Sequence, residues 1–523
     1  MKEKLVFARK ASGLVKAMTW RDILIIAISA PAGSGILYYS VSTASEFPGA
    51  SVALSFLIGM IVFLPVVFLA GVGSGMISRS GSLFILISRV VDPTVSYCAA
   101  FLYFFGYSLA VGVVAYVVSS VIGGVIVVAG IASDASSLSA VGKKLQTPLW
   151  QTLSAVLILA LVWWGTMAGV RVFRNLMRIL FLITMLSFVA SVAYFLTTST
   201  GSAEQSFNSV WGADLFQKII ALAHQMDWES PAFSWSETIK ALLIVVWSFG
   251  GIELISNASG EVRQTGRSLL KGFMAAWVGL GALYAILAYA VYRPFGQFIG
   301  AYDFLWDNHR ESLQEIMPNA VDPSVPFYIS SIVSSPLLGV VIASGISLWL
   351  LTTMLPYFFA PSRVLFALAM DRAIPSMFAG VRQKTGAPTW ATHATLVVAA
   401  IGVLFSLLDV QVVLGTILFA VFFVFWLYGL SALLLPYRCP AIYENSPIKA
   451  TIGGIPLVSI VGLIAFGVGW FLIFFTVRSM SPSVCITTAV IMVLGLAVYF
   501  WQYLKSKKLG VDLDKVYSEI PPV

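Results

Sequence analysis

The sequence predicts an all-α membrane protein with twelve transmembrane helices, and three observations carry that prediction. Of 523 residues, 59% are hydrophobic and only 10% charged, where an ordinary soluble domain is about 25% charged. The mean hydropathy is +0.93. Apolar runs long enough to cross a bilayer, roughly 20 residues each, recur along the whole chain rather than at one end.

Bounded by charge, proline or glycine clusters, the runs fall at 20–45, 50–75, 94–130, 149–169, 175–198, 236–261, 267–293, 334–370, 389–408, 411–435, 455–477 and 483–504, here spans 1 to 12. Span 1 follows a basic segment, 1–19, in which no small-residue cleavage site follows a short apolar core, so the span acts as its own insertion signal. Span 3 is longer than a perpendicular crossing needs, which calls for tilt or a separate short helix at its end. Arg171, Arg174 and Arg178 separate spans 4 and 5; Arg263, Arg267 and Lys271 separate spans 6 and 7. Arg363, Arg372, Arg382 and Lys384 mark the end of span 8, Arg438 and Lys449 the end of span 10, and lysines after 504 the end of span 12. All of these lie on the side that holds both termini. Only Lys143, Lys144, Lys218, Lys240, Arg293, Arg310 and Arg478, seven of 31 basic residues, fall on the other. Positive charge is retained in the cytoplasm, so both termini are expected there, in a multi-pass protein of the plasma membrane.

Two outer connections, 199–235 and 294–333, are long, and "YDFLWDNHRESLQEIM" in the second has the pattern of a short amphipathic helix, either a lid or a solvated loop helix. The net charge of +8 does not indicate nucleic acid, because no basic soluble domain accompanies it. Cys98, Cys439 and Cys485 lack metal-ligand spacing and read as inert thiols. No metal, nucleophile or phosphate-loop constellation points to an enzyme or a cofactor. His224 and His309 fall in outer loops, and His393 reads as a packing residue.

The informative residues are those that interrupt helices. Span 1 contains "SAPAGSGILYY", with Pro31, Gly33 and Gly35 near the bilayer midplane, and span 6 contains "VVWSFGGIELIS", with Gly250 and Gly251 adjacent. Neither cluster has the four-residue spacing of a helix-packing seam. Both spans are therefore expected to break at the midplane, in corresponding positions of two halves, which points to a transporter site between them. A broken span 1 exposes the amides of Ser34, Gly35 and Ile36, where the helix dipole favours a carboxylate. A broken span 6 leaves the carbonyls of Trp247, Ser248 and Phe249 as acceptors for an ammonium group. An α-amino acid carries both charges. Glu253, the one carboxylate deep in an apolar span, is a functional candidate by default.

These motifs, with "FPGASVALSFLIGMIVFLPVVFLAGVGSGMISRSGSLFILISR" across span 2 and "APSRVLFALAMDRAIPSMFAGVRQKTGAP" from span 8 into the next loop, resemble the amino acid–polyamine–organocation transporter superfamily over most of spans 1 to 10. The resemblance implies the five-plus-five inverted repeat of the bacterial leucine transporter. The first repeat would span 20–198, an extracellular loop 199–235, the second repeat 236–435, spans 11 and 12 would occupy 455–504, and a cytoplasmic tail 505–523. It implies that Gly33, Ser34 and Gly35 hold the substrate carboxylate and that carbonyls from Ser248 to Gly250 receive the amino group; Ala32, Ile36 and Gly251, beside them, are further substrate-site candidates. The "WSF-x-G-x-E" string is similar to that of arginine/agmatine antiporters. By that likeness Trp247 closes over the substrate, Glu253 senses protons and Tyr357 contacts the substrate side chain. The span 5 position that carries a lysine in some proton-coupled members falls near Phe181, which holds no charge. Arg174, Glu261, Arg263 and Arg363 are candidates for an inner gate.

With no other intramembrane charge, and with Tyr103, Tyr107, Phe249 and Tyr357 expected to line an apolar pocket, the expected substrate is a neutral amino acid moved by alternating access, as proton symport or exchange. A polyamine or organic cation held by Glu253 is the alternative. Spans 11 and 12 lie outside the repeat and are available for packing against a second copy.

Overall fold

The computed structural model describes residues 7–263 and 266–522. Residues 1–6 of the basic N-terminal segment, 264–265 in the motif after span 6, and 523 lie outside the described residues. Among the described residues, twelve helices are long and apolar enough to cross a membrane. Spans 1 to 6 are Trp20–Glu46, Val52–Met76, Pro93–Ala132, Pro148–Met167, Val170–Thr197 and Trp235–Glu261. Spans 7 to 12 are Arg267–Phe295, Pro336–Met370, Thr389–Leu408, Val410–Arg438, Leu457–Ser479 and Pro482–Lys508.

Local chemistry sets where several of them start. At span 3, Asp92 accepts hydrogen bonds from the amides of Thr94 and Val95 at 2.8 and 3.0 Å, with Pro93 in the first turn where no amide is needed. At span 1, Thr19 and Asp22 form a reciprocal capping box, and the other Asp22 oxygen pairs with Arg178 of span 5 at 2.7 Å. Span 3 does not break: it runs as one 40-residue helix, and a separate helix, Ser136–Leu145, folds back on its end. Gly123 and Gly142 permit that return, since a Cβ on either would come within 2.7 Å of the other's carbonyl oxygen.

The two long connections are folded. They form helices Thr200–Trp211 and Leu215–Gln225, then Phe298–Asn308, Arg310–Ile316 and Val325–Ile332. Phe207, Phe216, Phe298 and Phe327 knit them together, with Phe216 and Phe298 stacked at 4.2 Å between ring centroids. The amphipathic stretch in the second connection is a docked cap rather than a solvated helix, because Tyr302, Leu305 and Leu313 are fully buried.

Both termini meet on the opposite face. Phe7 packs with Leu513 and Val516, and Arg89 pairs with Asp371 while donating to the carbonyls of Val516 and Glu519. Spans 11 and 12 each have a partner within the chain. Gly429 of span 10 faces Ala465 and Phe466 of span 11, Gly462 faces Ala432 and Leu433, and Gly469 faces Trp426, in each case against backbone. Span 12 lays Tyr499 on Tyr97 of span 3 at 4.9 Å. Between membrane helices, close backbone approach takes the place of a hydrophobic driving force. A Cβ at Gly462 would collide with the Leu433 amide, so Gly462→Leu should separate spans 10 and 11 and cost at least ~2 kcal/mol. The expected outcome is a marked fall in unfolding temperature in detergent, whereas the same change at Gly467, which faces open space, should have little effect.

Candidate functional site

Span 1 does not unwind at Pro31–Gly35, as the sequence suggested it would. Ser34 and Gly35 keep right-handed helical dihedrals. What changes is the hydrogen-bond ladder. The Gly33 amide donates to Thr353 Oγ1 at 2.9 Å, and that hydroxyl donates to the Ser29 carbonyl at 2.8 Å. One side chain of span 8 thus engages both groups that an α-helix would pair with each other. Two residues on, the Gly35 amide bonds Ala32 instead of Pro31, and the Pro31 carbonyl takes a hydrogen bond from the Tyr284 hydroxyl at 2.9 Å. Residues Gly35–Tyr39 then wind as a π-helix, closed by the Ser40 amide on the Gly35 carbonyl, a distortion with the known causes of proline and an inserted side chain. The glycines make room for these visitors: a Cβ on Gly33 would lie 2.6 Å from Thr353 Oγ1, and one on Gly35 would collide with the hydroxyl end of the Tyr284 ring.

Span 6 does break. A 3₁₀ turn, Val246–Phe249, ends at Gly250 with extended backbone, ψ 133°. Gly251 follows at φ 110°, a conformation that favours glycine. The Trp247 carbonyl accepts from the Gly250 amide at 3.1 Å and the Ser248 carbonyl from Tyr284 at 2.6 Å. Tyr284 of span 7 therefore shares its single proton between the two interrupted spans. Glu253, buried, accepts from Tyr103 at 2.8 Å, from Tyr107 at 2.7 Å and from the Gly251 amide at 3.0 Å.

A cavity of about 370 Å³ opens where these elements meet, in the half of the molecule away from the termini. Of the residues expected at the site, Ser34, Trp247, Gly250 and Tyr357 line it. Tyr107 also lines it and stands edge-on to Tyr357 at 4.8 Å. Tyr103 and Glu253 lie behind Tyr107 rather than in the wall. Phe249 is a second correction to the expected pocket: it turns the other way, into an aromatic core with Phe56, Trp277 and Tyr284. Ala32, Gly33, Gly35, Ile36, Ser248 and Gly251, expected to contact the substrate, are buried and do not line the cavity. Aliphatic side chains, among them Val113, Val114, Val117, Leu350 and Val421, cover the remaining sides. Phe181 packs edge-on against Trp349 at 5.8 Å.

Towards the termini the molecule is closed. Arg363 and Glu261 form an ion pair at 2.7 Å with both side chains essentially inaccessible. Arg174 donates to the Ala17 carbonyl at 2.9 Å and Arg263 to that of Lys16 at 3.3 Å. All four expected gate residues thus converge on residues 16–18 and the end of span 6. His393 bonds the Thr389 carbonyl and packs against Trp163 and Trp390.

Sequence reasoning missed Thr353, Tyr284 and Asp322, the last a loop carboxylate in the cavity wall. Thr353 had a usable signal, because it stands one helical turn from Tyr357 and shares its face. Tyr284 and Asp322 had none, since only the packing of spans 1 and 7 and of the far-side cap brings them in.

A sequence profile of the amino acid permease family matches residues 18–496, so the chain belongs to that family, whose members are membrane transporters of amino acids or related organic compounds. No curated protein matches it.

The shared phenol gives a direct test. Tyr284→Phe removes one oxygen and leaves the buried carbonyls of Pro31 and Ser248 without that donor, at a cost of about 1–3 kcal/mol. Thermal unfolding in detergent should register the loss.

Proposed function

We propose, from the premise that the chain is an amino acid permease, that it is a secondary transporter carrying amino acids with neutral side chains across the plasma membrane by alternating access, as a proton symporter or exchanger. The observation that supports this best is the position of the cavity, which meets the interruptions of spans 1 and 6 together. In this reading spans 1–5 and 6–10 are the two inverted repeats, and the termini face the cytoplasm. The cavity is then the outward-facing chamber, and Arg363–Glu261 with Arg174 and Arg263 is the closed inner gate.

The substrate carboxylate belongs beside Ser34, over the winding change of span 1. The amides of Gly33 and Gly35 are engaged, by Thr353 and Ala32, and span 1 keeps its helical path through Ser34 and Gly35, so the carboxylate is met by the Ser34 hydroxyl at the cavity wall. With the Trp247 and Ser248 carbonyls engaged within the protein, the ammonium falls to those of Phe249 and Gly250. Trp247 and Tyr357 enclose the side chain against the aliphatic wall. Glu253 acts as the proton site through Tyr107, the phenol that touches both it and the cavity. A polyamine or organic cation is the second reading, favoured by the carboxylate of Asp322 in the wall; inhibition of uptake by putrescine rather than by alanine or leucine separates the two.

Three measurements follow. Thermal-shift screening of the purified protein against amino acids should find ligands that raise its unfolding temperature, since a ligand at a hundred times its Kd adds about 2.7 kcal/mol. Gly250 has dihedrals open to any residue and a Cβ there has ordinary contacts, so Gly250→Leu should fill the cavity and weaken binding more than tenfold without loss of fold; wild-type affinity would remove the site. Glu253→Gln should flatten the pH dependence of uptake in proteoliposomes, and an unchanged profile would remove its proton role.

A further inference from the structure

The cavity wall contains a single charged side chain among the described residues, that of Asp322. It stands in the turn that precedes helix Val325–Ile332, followed by Pro323, which restricts its backbone to extended conformations. The turn is pinned from behind: the Tyr302 hydroxyl donates to the Val321 carbonyl at 2.6 Å and accepts from the Val321 amide at 3.2 Å. Asp322 is thus held in place by a buried residue of the docked cap.

Its bonding is sparse. One oxygen accepts a long hydrogen bond, 3.3 Å, from Tyr38, and among the described residues no lysine or arginine comes within ion-pair distance. A carboxylate offers about four acceptor positions, and the half-buried Asp322 lines the cavity with most of them unused by protein donors. Tyr38 lies one helical turn beyond Ser34, about 6 Å along the axis. That separation is of the order of a lysine or arginine side chain.

We propose that Asp322 is a specificity-determining residue: its carboxylate receives a side-chain ammonium or guanidinium group, so that the cavity takes cationic amino acids as well as neutral ones. The assignment rests on the reading of this cavity as an amino acid site and adds which side chains enter it. Neutral side chains lie on the aliphatic wall and do not need Asp322; cationic ones do.

Burial pushes the Asp322 carboxyl up to about 7; Asp307 raises it further, while Tyr38 and Arg310 oppose the rise. Tyr302, Asp303 and Tyr328 of the cap also face it. The ionised fraction grows as pH climbs through that value, so affinity for a cationic side chain should rise with pH while affinity for a neutral one stays level.

Lysine and norleucine, which differ by the terminal ammonium, provide the test, with binding to the purified full-length protein measured by calorimetry and thermal shift at pH 6 and pH 8. Wild-type protein should bind both, with lysine several-fold tighter at pH 8. Asp322→Asn should lose roughly tenfold or more in lysine affinity, as expected for a charge-assisted hydrogen bond, lose its pH dependence, and keep norleucine unchanged. Norleucine binding also shows that the variant is folded. Lysine affinity unaltered in Asp322→Asn, or norleucine binding to wild type without lysine binding, overturns the role of Asp322 alone. Failure of wild-type protein to bind either overturns the amino acid site and this assignment with it.

Discussion

Two hydroxyls hold the centre of this protein together. Thr353 stands between the Gly33 amide and the Ser29 carbonyl, and Tyr284 bridges the Pro31 and Ser248 carbonyls. An unpaired backbone group at the midplane of a bilayer costs several kcal/mol, so irregular helices survive there only if something polar reaches them. Side chains from spans 7 and 8 do so here. The glycines of span 1 therefore serve less to unwind the helix than to let a threonine and a phenol approach its backbone. A distorted span 1 and a broken span 6 share one of these neighbours, Tyr284, and the cavity exists because these elements cannot pack as straight cylinders.

Charge is distributed to match. The buried Arg363–Glu261 pair sits where the termini gather, alongside main-chain bonds from Ala17 and Met18 to the Glu261 carbonyl. A pair of this kind contributes little net stability, yet it is strongly destabilising to separate its members. Moving the two partners together therefore costs less than parting them. Glu253 differs in kind, because three donors surround it and, among the described residues, no cation pairs with it. Tyr107 joins that buried acid to the cavity, so any change at the acid is felt by a residue of the wall. At the other end Asp322 has one weak partner and faces the hollow. The three carboxyl groups thus run from fully paired, through fully hydrogen-bonded, to nearly bare along the path from the termini to the far face.

The cap over the far face is held by rings rather than charges. Phe216 on Phe298 and Tyr302 on Phe327 bury one side of segments whose polar residues alone would leave them solvated. Docking of the cap places Tyr302 behind Val321 and so aims Asp322 inward. A surface connection becomes part of the wall.

The twelve spans, the meeting of both termini on one face and the helix irregularities at Pro31–Gly35 and Gly250–Gly251 were all legible in the sequence. Each rests on local chemistry: run length, an even number of runs, and residues that cannot continue an ordinary helix. Which groups would meet the disturbed backbone was not legible. Span 1 keeps its helical path because Thr353 and Tyr284 arrive from 320 and 253 residues away, Phe249 faces an aromatic core instead of the cavity, and Tyr103 stands behind Tyr107. Asp322, an unremarkable loop residue in one dimension, enters the wall through the docking of a cap. Local sequence determines where a chain is unable to be regular; only tertiary packing decides which side chains compensate for it, since a hydrogen-bond partner is chosen by proximity in space and not by separation along the chain.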